Sequence, residues 1–166
     1  FAVELPGATS LGEAGRQGTF NVGLAQATLT RTFESAVGGN VLRLEYTIRS
    51  DATVGVFAKE FRETPAADLP VVVEILARPE TSADFAEIET ALEIKGSVGL
   101  QRVPFALGAG WTTVESLFDA RAVGELREVV LTVRRRGGPD PAAGAIAFDV
   151  RFRPVDALRA LSLKST

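Results

Sequence analysis

Apolar residues recur at every second position in short runs along this chain, and Gly, Pro and polar residues separate the runs. In NVLRLEYTI every second residue from Leu42 to Ile48 is apolar or aromatic, so this set, which includes Tyr46, belongs in the core. Many short strands with turn signals between them are typical of an antiparallel sandwich or barrel. The predicted strands are residues 18–23, 27–34, 40–48, 55–59, 71–77, 88–95, 100–104, 112–116, 126–135 and 145–153.

One run, LPVVVEILAR, is apolar at nearly every position, as expected of a strand that is covered on both faces. A chain of 166 residues fits one domain. We therefore predict a lead-in over residues 1–17, one β-sandwich domain over residues 18–154 and a C-terminal tail or linker over residues 155–166. In this tail Val155, Leu158 and Leu161 have helical spacing, which predicts either a short helix or an extended tail.

The composition excludes several classes of function. The 18 basic and 21 acidic residues give a net charge of -3, which argues against general binding to nucleic acid. Without His or Cys, the chain supports neither Ser-His-Asp nor Cys-His catalysis, and it has no thiolate ligand for a metal. Pairs of acids such as Glu87 with Glu89 carry almost no weight, because glycoside hydrolysis needs two carboxyls at a defined separation across a cleft. We predict no catalytic residue and no bound organic cofactor.

The ends of the chain and its apolar runs bear on its location. No run approaches the roughly 20 apolar residues that a transmembrane helix needs, so no transmembrane segment is predicted. The chain begins at Phe1 rather than at Met, and it is therefore either a processed protein or an excerpt of a longer one. Processing after export predicts a periplasmic or extracellular protein.

Seven segments carry a resemblance to a known fold family. In chain order they are VLRLEYTI, VGVFAKEF, LPVVVEILAR, AEIETALEIKGS, GWTTVESLF, LREVVLTVRRRGG and GAIAFDVRF. Their order and spacing over about residues 27–153 resemble the galactose-binding-like jelly rolls, in particular family 11 carbohydrate-binding modules and the complex I intermediate-associated protein 30 family. The resemblance implies a two-sheet jelly roll without catalytic activity, which either binds glycans on a sheet face or serves in assembly and docking.

The resemblance also suggests particular residues. Sugar binding uses flat aromatic rings, usually of Trp and Tyr, and this chain has only Trp111 and Tyr46. Trp111 is either an exposed stacking platform or a plug at the edge of the core. Asp149 in FDVRF matches an Asp of the closing strand that in many carbohydrate-binding jelly rolls helps to hold a structural calcium. Calcium takes six to eight oxygen ligands, and Glu4 and Glu34 are the available acidic partners.

The segment LREVVLTVRRRGGPDPAAGAIAFDVRF contains three consecutive arginines before a turn sequence. Alternation places Arg135 on the core side at the end of a strand and Arg134 and Arg136 on the outer side. The strand after the turn is predicted to return antiparallel beside the first strand, as a hairpin. Arg134 and Arg136 then form a small basic edge for an acidic partner.

These observations support two interpretations of the function. The first is a non-catalytic β-sandwich interaction module, an accessory or assembly subunit that binds a protein partner in a larger complex. The alternative is a carbohydrate-binding module that is associated with a glycan-degrading enzyme and binds a glycan. The scarcity of Trp and Tyr favours the first interpretation.

Overall fold

The fold is a sandwich of two antiparallel sheets in the computed structural model, which describes residues 9–11, 14–61, 70–80 and 88–164. The structure confirms the strands that the alternating pattern predicts, because each predicted strand overlaps an observed one. The strands are β1 (Thr9–Ser10), β2 (Arg16–Val22), β3 (Ala25–Glu34), β4 (Gly39–Ile48), β5 (Thr53–Lys59), β6 (Val71–Pro79), β7 (Ile88–Gly96), β8 (Leu100–Phe105), β9 (Thr112–Leu117), β10 (Leu126–Arg135) and β11 (Ala142–Pro154). The helices are α1 (Ala120–Val123) and α2 (Ala157–Lys164). Neither β1 nor α1 was predicted.

Each sheet brings together strands that are distant in sequence. Sheet A has the order β3-β4-β11-β6-β9, and the short strand β1 pairs with β11 as well. Sheet B has the order β2-β5-β10-β7-β8. This arrangement confirms the predicted all-β antiparallel jelly-roll sandwich. Strand β6 contains most of the apolar run LPVVVEILAR and lies inside sheet A between β11 and β9, and both of its faces are mostly buried.

The core lies between the sheets and is built from the inward-facing half of each alternating strand. Leu44 of β4, Leu131 of β10 and Phe148 of β11 are almost completely buried. Phe152 meets Phe118 edge to face, with the ring centroids 5.9 Å apart. The prediction that Tyr46 belongs in the core is confirmed.

The predicted hairpin between β10 and β11 is wrong. β10 belongs to sheet B and β11 to sheet A, so residues 136–141 cross from one sheet to the other. Polar groups hold this crossing in place. The Arg135 guanidinium donates to the carbonyls of Pro139 at 2.8 Å and Ser50 at 2.9 Å, and the Asp140 carboxylate accepts from the Ser50 N–H at 3.2 Å. A turn sequence between two alternating strands permits both arrangements, because either one buries the same apolar residues.

The C-terminal residues form the helix α2 rather than an extended tail. The Asp156 carboxylate accepts from the Arg159 N–H at 2.8 Å and so satisfies a free donor at the start of the helix. Ala160 is buried, whereas Leu158 and Leu161 are exposed, so the predicted apolar stripe is not the packed side. Most of the predicted lead-in, residues 1–8, 12 and 13, lies outside the described residues. No helix in the described ranges is both long and apolar enough to span a bilayer.

Candidate functional site

The outer face of sheet A carries charged side chains above a floor of small residues. Ala147 of β11 lies opposite Arg43 of β4 on one side and opposite Arg78 of β6 on the other. Because alanine leaves space above the central strand, Arg43 reaches across it and donates from Nε to Glu80 Oε2 at 2.6 Å. We call this surface the polar face; its residues are Glu34, Arg43, Glu45, Glu74, Arg78, Glu80, Trp111, Thr113, Glu115, Asp149, Arg151, Arg153 and Arg159.

Ion pairs link one half of the polar face into a continuous chain. Arg43 also contacts Glu45 at 3.2 Å, and Arg78 contacts Glu34 at 3.4 Å and Glu80 at 4.0 Å. Glu80 first, and then Glu45, raises the pKa of the Arg43 guanidinium, so Arg43 is charged throughout the physiological range. Partly exposed pairs contribute only about 0–1 kcal/mol each to stability. Their main effect is to hold planar donors and acceptors in fixed positions.

Trp111 directly precedes the edge strand β9, beside Arg78 of this charged surface, and is half-buried. The Arg78 guanidinium carbon lies 5.2 Å from the centroid of the indole ring, within the range of a cation–π contact. The indole N–H is buried and has no acceptor among the described residues. Trp111 therefore lies on the outer face of sheet A rather than within the core between the sheets. Its role as a stacking platform stays a prediction.

Asp149 is on the same face as Trp111, but it is only 2% exposed. Its Oδ1 accepts from the Val150 N–H at 2.9 Å, and its Oδ2 accepts from Arg151 Nε at 3.0 Å. Arg151 also donates to the Val37 carbonyl at 3.2 Å and thereby ties the β3–β4 turn to β11. Within the described ranges, no three His, Cys, Asp or Glu side chains lie close enough together to hold a metal ion. The calcium role of Asp149 stays a prediction.

The other half of the polar face adjoins α2. Arg153 pairs with Glu74, and Arg159 of α2 donates to both carboxylate oxygens of Glu115 at 2.8 Å. A cleft of about 300 Å³ opens between Glu115, Arg153 and Arg159 and is also lined by Val72. Both hydrogen bonds come from one Arg159 nitrogen and link α2 to β9 at this end of the polar face.

The two arginines predicted as a basic edge lie away from the polar face, in and beside sheet B. Arg134 is exposed on its outer face, between Thr53 and Glu89 of the neighbouring strands. Arg136 lines a separate open cleft of about 670 Å³, to which Arg102 and Glu89 also contribute. Glu89 therefore lies near both Arg134 and Arg136. These two arginines do not form one site with Trp111 and Asp149.

Trp111 and Asp149 are identifiable as candidates from the sequence, but the residues that surround them are not. Arg43, Arg78 and Glu80 meet only because β4, β11 and β6 are neighbours in sheet A. No local motif marks them. The one usable signal was that Arg43 is a charged residue on the outward half of the alternating strand β4.

Comparison with known proteins shows the fold of this chain but does not assign the chain to a family. No protein family model matches the sequence, and no curated protein does. Among solved structures, a family 11 carbohydrate-binding module from Clostridium thermocellum, in complex with a β-1,3-1,4-mixed-linked tetrasaccharide, is similar with a TM-score of 0.63. It has 13% identity, and the match covers 90% of this chain and 97% of that one. The fold is thus the β-sandwich of these modules.

Two further structures share the fold. The family 11 module of the cellulosomal cellulase Lic26A-Cel5E of Clostridium thermocellum is similar with a TM-score of 0.55 and 10% identity, over 84% of this chain and 88% of that one. The Endo-D glycoside hydrolase domain from Streptococcus pneumoniae R6 is similar with a TM-score of 0.60 and 12% identity. That match covers 83% of this chain but only 22% of the hydrolase. The resemblance to the complex I intermediate-associated protein 30 family stays a prediction.

Proposed function

We propose that this chain is a non-catalytic carbohydrate-binding module that binds a glycan along the polar face of sheet A. The observation that carries the proposal is the position of Trp111 and its stacked partner Arg78 beside a fixed network of guanidinium and carboxylate groups. The fold adds support, because it matches modules of which one was solved with a bound tetrasaccharide.

The chemistry of the polar face fits a sugar. Each sugar hydroxyl both donates and accepts hydrogen bonds, and the carboxylates and guanidiniums of the network supply acceptors and donors side by side. The exposed part of the Trp111 indole offers a flat apolar surface to the C–H groups of a pyranose ring. Because ion pairs already hold these side chains in place, ordering them when a ligand binds costs little free energy.

The comparisons favour this function over the assembly subunit. The similar structures include carbohydrate-binding modules, whereas nothing in the described structure supports a different protein as a partner. A role in binding rather than hydrolysis agrees with the sequence-based prediction of no catalytic residue. A polysaccharide ligand also fits the predicted export of the chain.

Replacing Trp111 by alanine should weaken glycan binding about tenfold, because the stacking surface and the support of Arg78 are both lost. Affinity electrophoresis in gels that contain soluble β-1,3-1,4-glucan, xylan or galactomannan measures this effect as reduced retardation. Arg121→Ala, an exposed change in α1 away from the polar face, is the control and should migrate like the unchanged protein.

Two results would contradict the proposal. One is that the unchanged protein is not retarded by any polysaccharide of the panel. The other is that Trp111→Ala and Arg121→Ala are retarded as strongly as the unchanged protein.

A further inference from the structure

Strand β3 forms one edge of sheet A, and no other strand or helix of the described residues is hydrogen-bonded along this edge. β3 pairs with β4 at every residue from Ala25 to Glu34, without a bulge. Natural edge strands are usually short, bulged, interrupted by Pro, rich in charge or covered by a helix. The opposite edge of sheet A, β9, is linked to α2 through Arg159, and the edge strand β8 of sheet B contains Pro104. β3 is ten residues long and has no such protection beyond the charges of Arg31 and Glu34.

Backbone groups of alternate β3 residues point to this free edge. The Leu24 carbonyl accepts from the Arg49 N–H at 2.9 Å, so these two residues form a hydrogen-bonded pair where the ladder begins. Hydrogen-bonded and non-hydrogen-bonded pairs alternate along an antiparallel ladder, and the even-numbered residues of β3 therefore bond to β4. The odd-numbered residues direct their N–H and C=O groups outward, where an extended strand would satisfy them; they are Ala25, Ala27, Leu29, Arg31 and Phe33.

The side chains of β3 also divide into two faces. The even-numbered side chains lie on the same side of the sheet as the polar face, and those from Gln26 to Thr32 are exposed. The odd-numbered side chains lie on the core side, where Ala27 and Leu29 pack against the core. Phe33 lies on that side as well but is 71% exposed. A strand that pairs with β3 would therefore both satisfy the free backbone groups and cover an apolar ring.

We infer that β3 pairs antiparallel with β3 of a second copy of this chain, so that sheet A continues across a two-fold axis beside Thr30. Each strand offers only its odd-numbered backbone groups, which restricts the register to pairs of equal parity. An axis beside Arg31 would set two guanidiniums opposite each other, which is unfavourable. An axis beside Thr30 instead sets Leu29 opposite Arg31 and sets Phe33 opposite Ala27, so each copy covers the exposed ring of the other.

The outer side chains favour a second copy over an unrelated extended peptide. In this register Thr30 lies opposite Thr30, Thr28 opposite Thr32, and Gln26 opposite Glu34. Thr–Thr pairs on adjacent strands form hydrogen bonds, and the Gln26 amide is a donor for the Glu34 carboxylate. β3 is therefore complementary to itself. Pairing also joins the polar faces of the two copies into one surface.

The size of the contact predicts a weak, reversible dimer. Pairing from Gln26 to Glu34 spans about 30 Å, at about 3.4 Å per residue. A standard protein–protein interface buries about 800 Å² on each partner, and a single pair of strands falls below that size. We therefore expect a dissociation constant in the micromolar range or weaker.

Sedimentation velocity without any glycan, at chain concentrations from about 10 μM to about 1 mM, should show a reversible dimer. Arg31→Pro removes an N–H that points to the free edge and retains the bonds to β4, so it should weaken dimerisation about tenfold or more. Phe33→Ala should weaken dimerisation about threefold to tenfold. Neither change should alter the unfolding of the dilute, monomeric chain by more than a small amount, because both side chains are exposed there.

Thr30→Lys and Thr30→Glu test the two-fold axis. Each variant alone sets like charges opposite each other in a close, non-hydrogen-bonded pair and should not dimerise. An equal mixture of the two variants sets Lys opposite Glu and should restore the dimer. Val98→Lys introduces the same charge at a residue that is 72% exposed in the β7–β8 turn, and it should dimerise like the unchanged chain.

Three results would overturn the inference. The first is an unchanged chain that stays monomeric at about 1 mM. The second is a dimer that neither Arg31→Pro nor Thr30→Lys weakens, because that dimer must use another surface. The third is a mixture of Thr30→Lys and Thr30→Glu that fails to dimerise, because the two Thr30 side chains are then not neighbours. All of these measurements are made without a glycan, so their failure is distinct from a failure of the proposed function.

Discussion

Replacing Phe148 by alanine is expected to lower the free energy of unfolding by about 3–5 kcal/mol. Phe148 is 0% exposed and lies on β11, the strand that pairs with both β4 and β6. Its removal takes away a large apolar surface and leaves a cavity between the two sheets, which the surrounding strands cannot close without breaking their register. Urea unfolding, followed by the fluorescence of Trp111, measures the loss.

A matched control separates burial from loss of a ring. Phe33→Ala removes the same side chain at the end of β3, where it is 71% exposed, and should change the free energy of unfolding by about 0.5 kcal/mol or less. If both variants lose the same amount of stability, the core does not lie where the structure places it.

Replacing Asp149 by alanine should cost about 2–3 kcal/mol. The change leaves the Val150 N–H without its side-chain acceptor and leaves Arg151 without its carboxylate partner. The loss should be smaller than that of a fully buried ion pair, because the Arg151 side chain is 23% exposed and part of its charge stays hydrated. Thermal unfolding of Asp149→Ala beside Asp149→Asn measures it. The asparagine retains an acceptor for the Val150 N–H and should lose less.

The same variants test whether Asp149 helps to hold a calcium ion. Internal hydrogen bonding predicts that the stability lost by Asp149→Ala is equal with excess EDTA and with excess calcium. A loss that occurs only when calcium is present would contradict this account of Asp149 and would support the calcium hypothesis taken from the fold resemblance.

The strands were predictable because their apolar residues alternate with the period of a sheet. β4 shows this most clearly, since its inward residues from Leu42 to Ile48 are all buried. β6 was identified as covered on both faces, and the structure gives the reason. Its outward residue Glu74 is buried by its pairing with Arg153 across the sheet. Two-sided burial therefore does not require a third layer of secondary structure.

The path of the chain between strands was not predictable from alternation. β10 and β11 have the pattern and the turn residues of a hairpin, yet they belong to different sheets. Whether the second strand joins the same sheet or the opposite one depends on contacts outside the two strands, such as the hydrogen bonds of Arg135 to the carbonyls of Ser50 and Pro139.

The candidate site was not predictable for the same reason, because it depends on which strands are neighbours in the sheet. Arg43 and Glu80 are far apart in sequence and meet above Ala147 only in the observed strand order.

Trp111 permits a direct measurement of glycan binding on the polar face. It is the only tryptophan, so the chain has a single indole N–H signal, and this N–H is buried beside Arg78 without an acceptor in the described structure. Titration of the unchanged chain with the β-1,3-1,4-mixed-linked tetrasaccharide, followed by that signal, should give a saturable shift. A signal that stays in place while the chain binds the tetrasaccharide, or an absence of binding to it and to the other polysaccharides, would contradict the account.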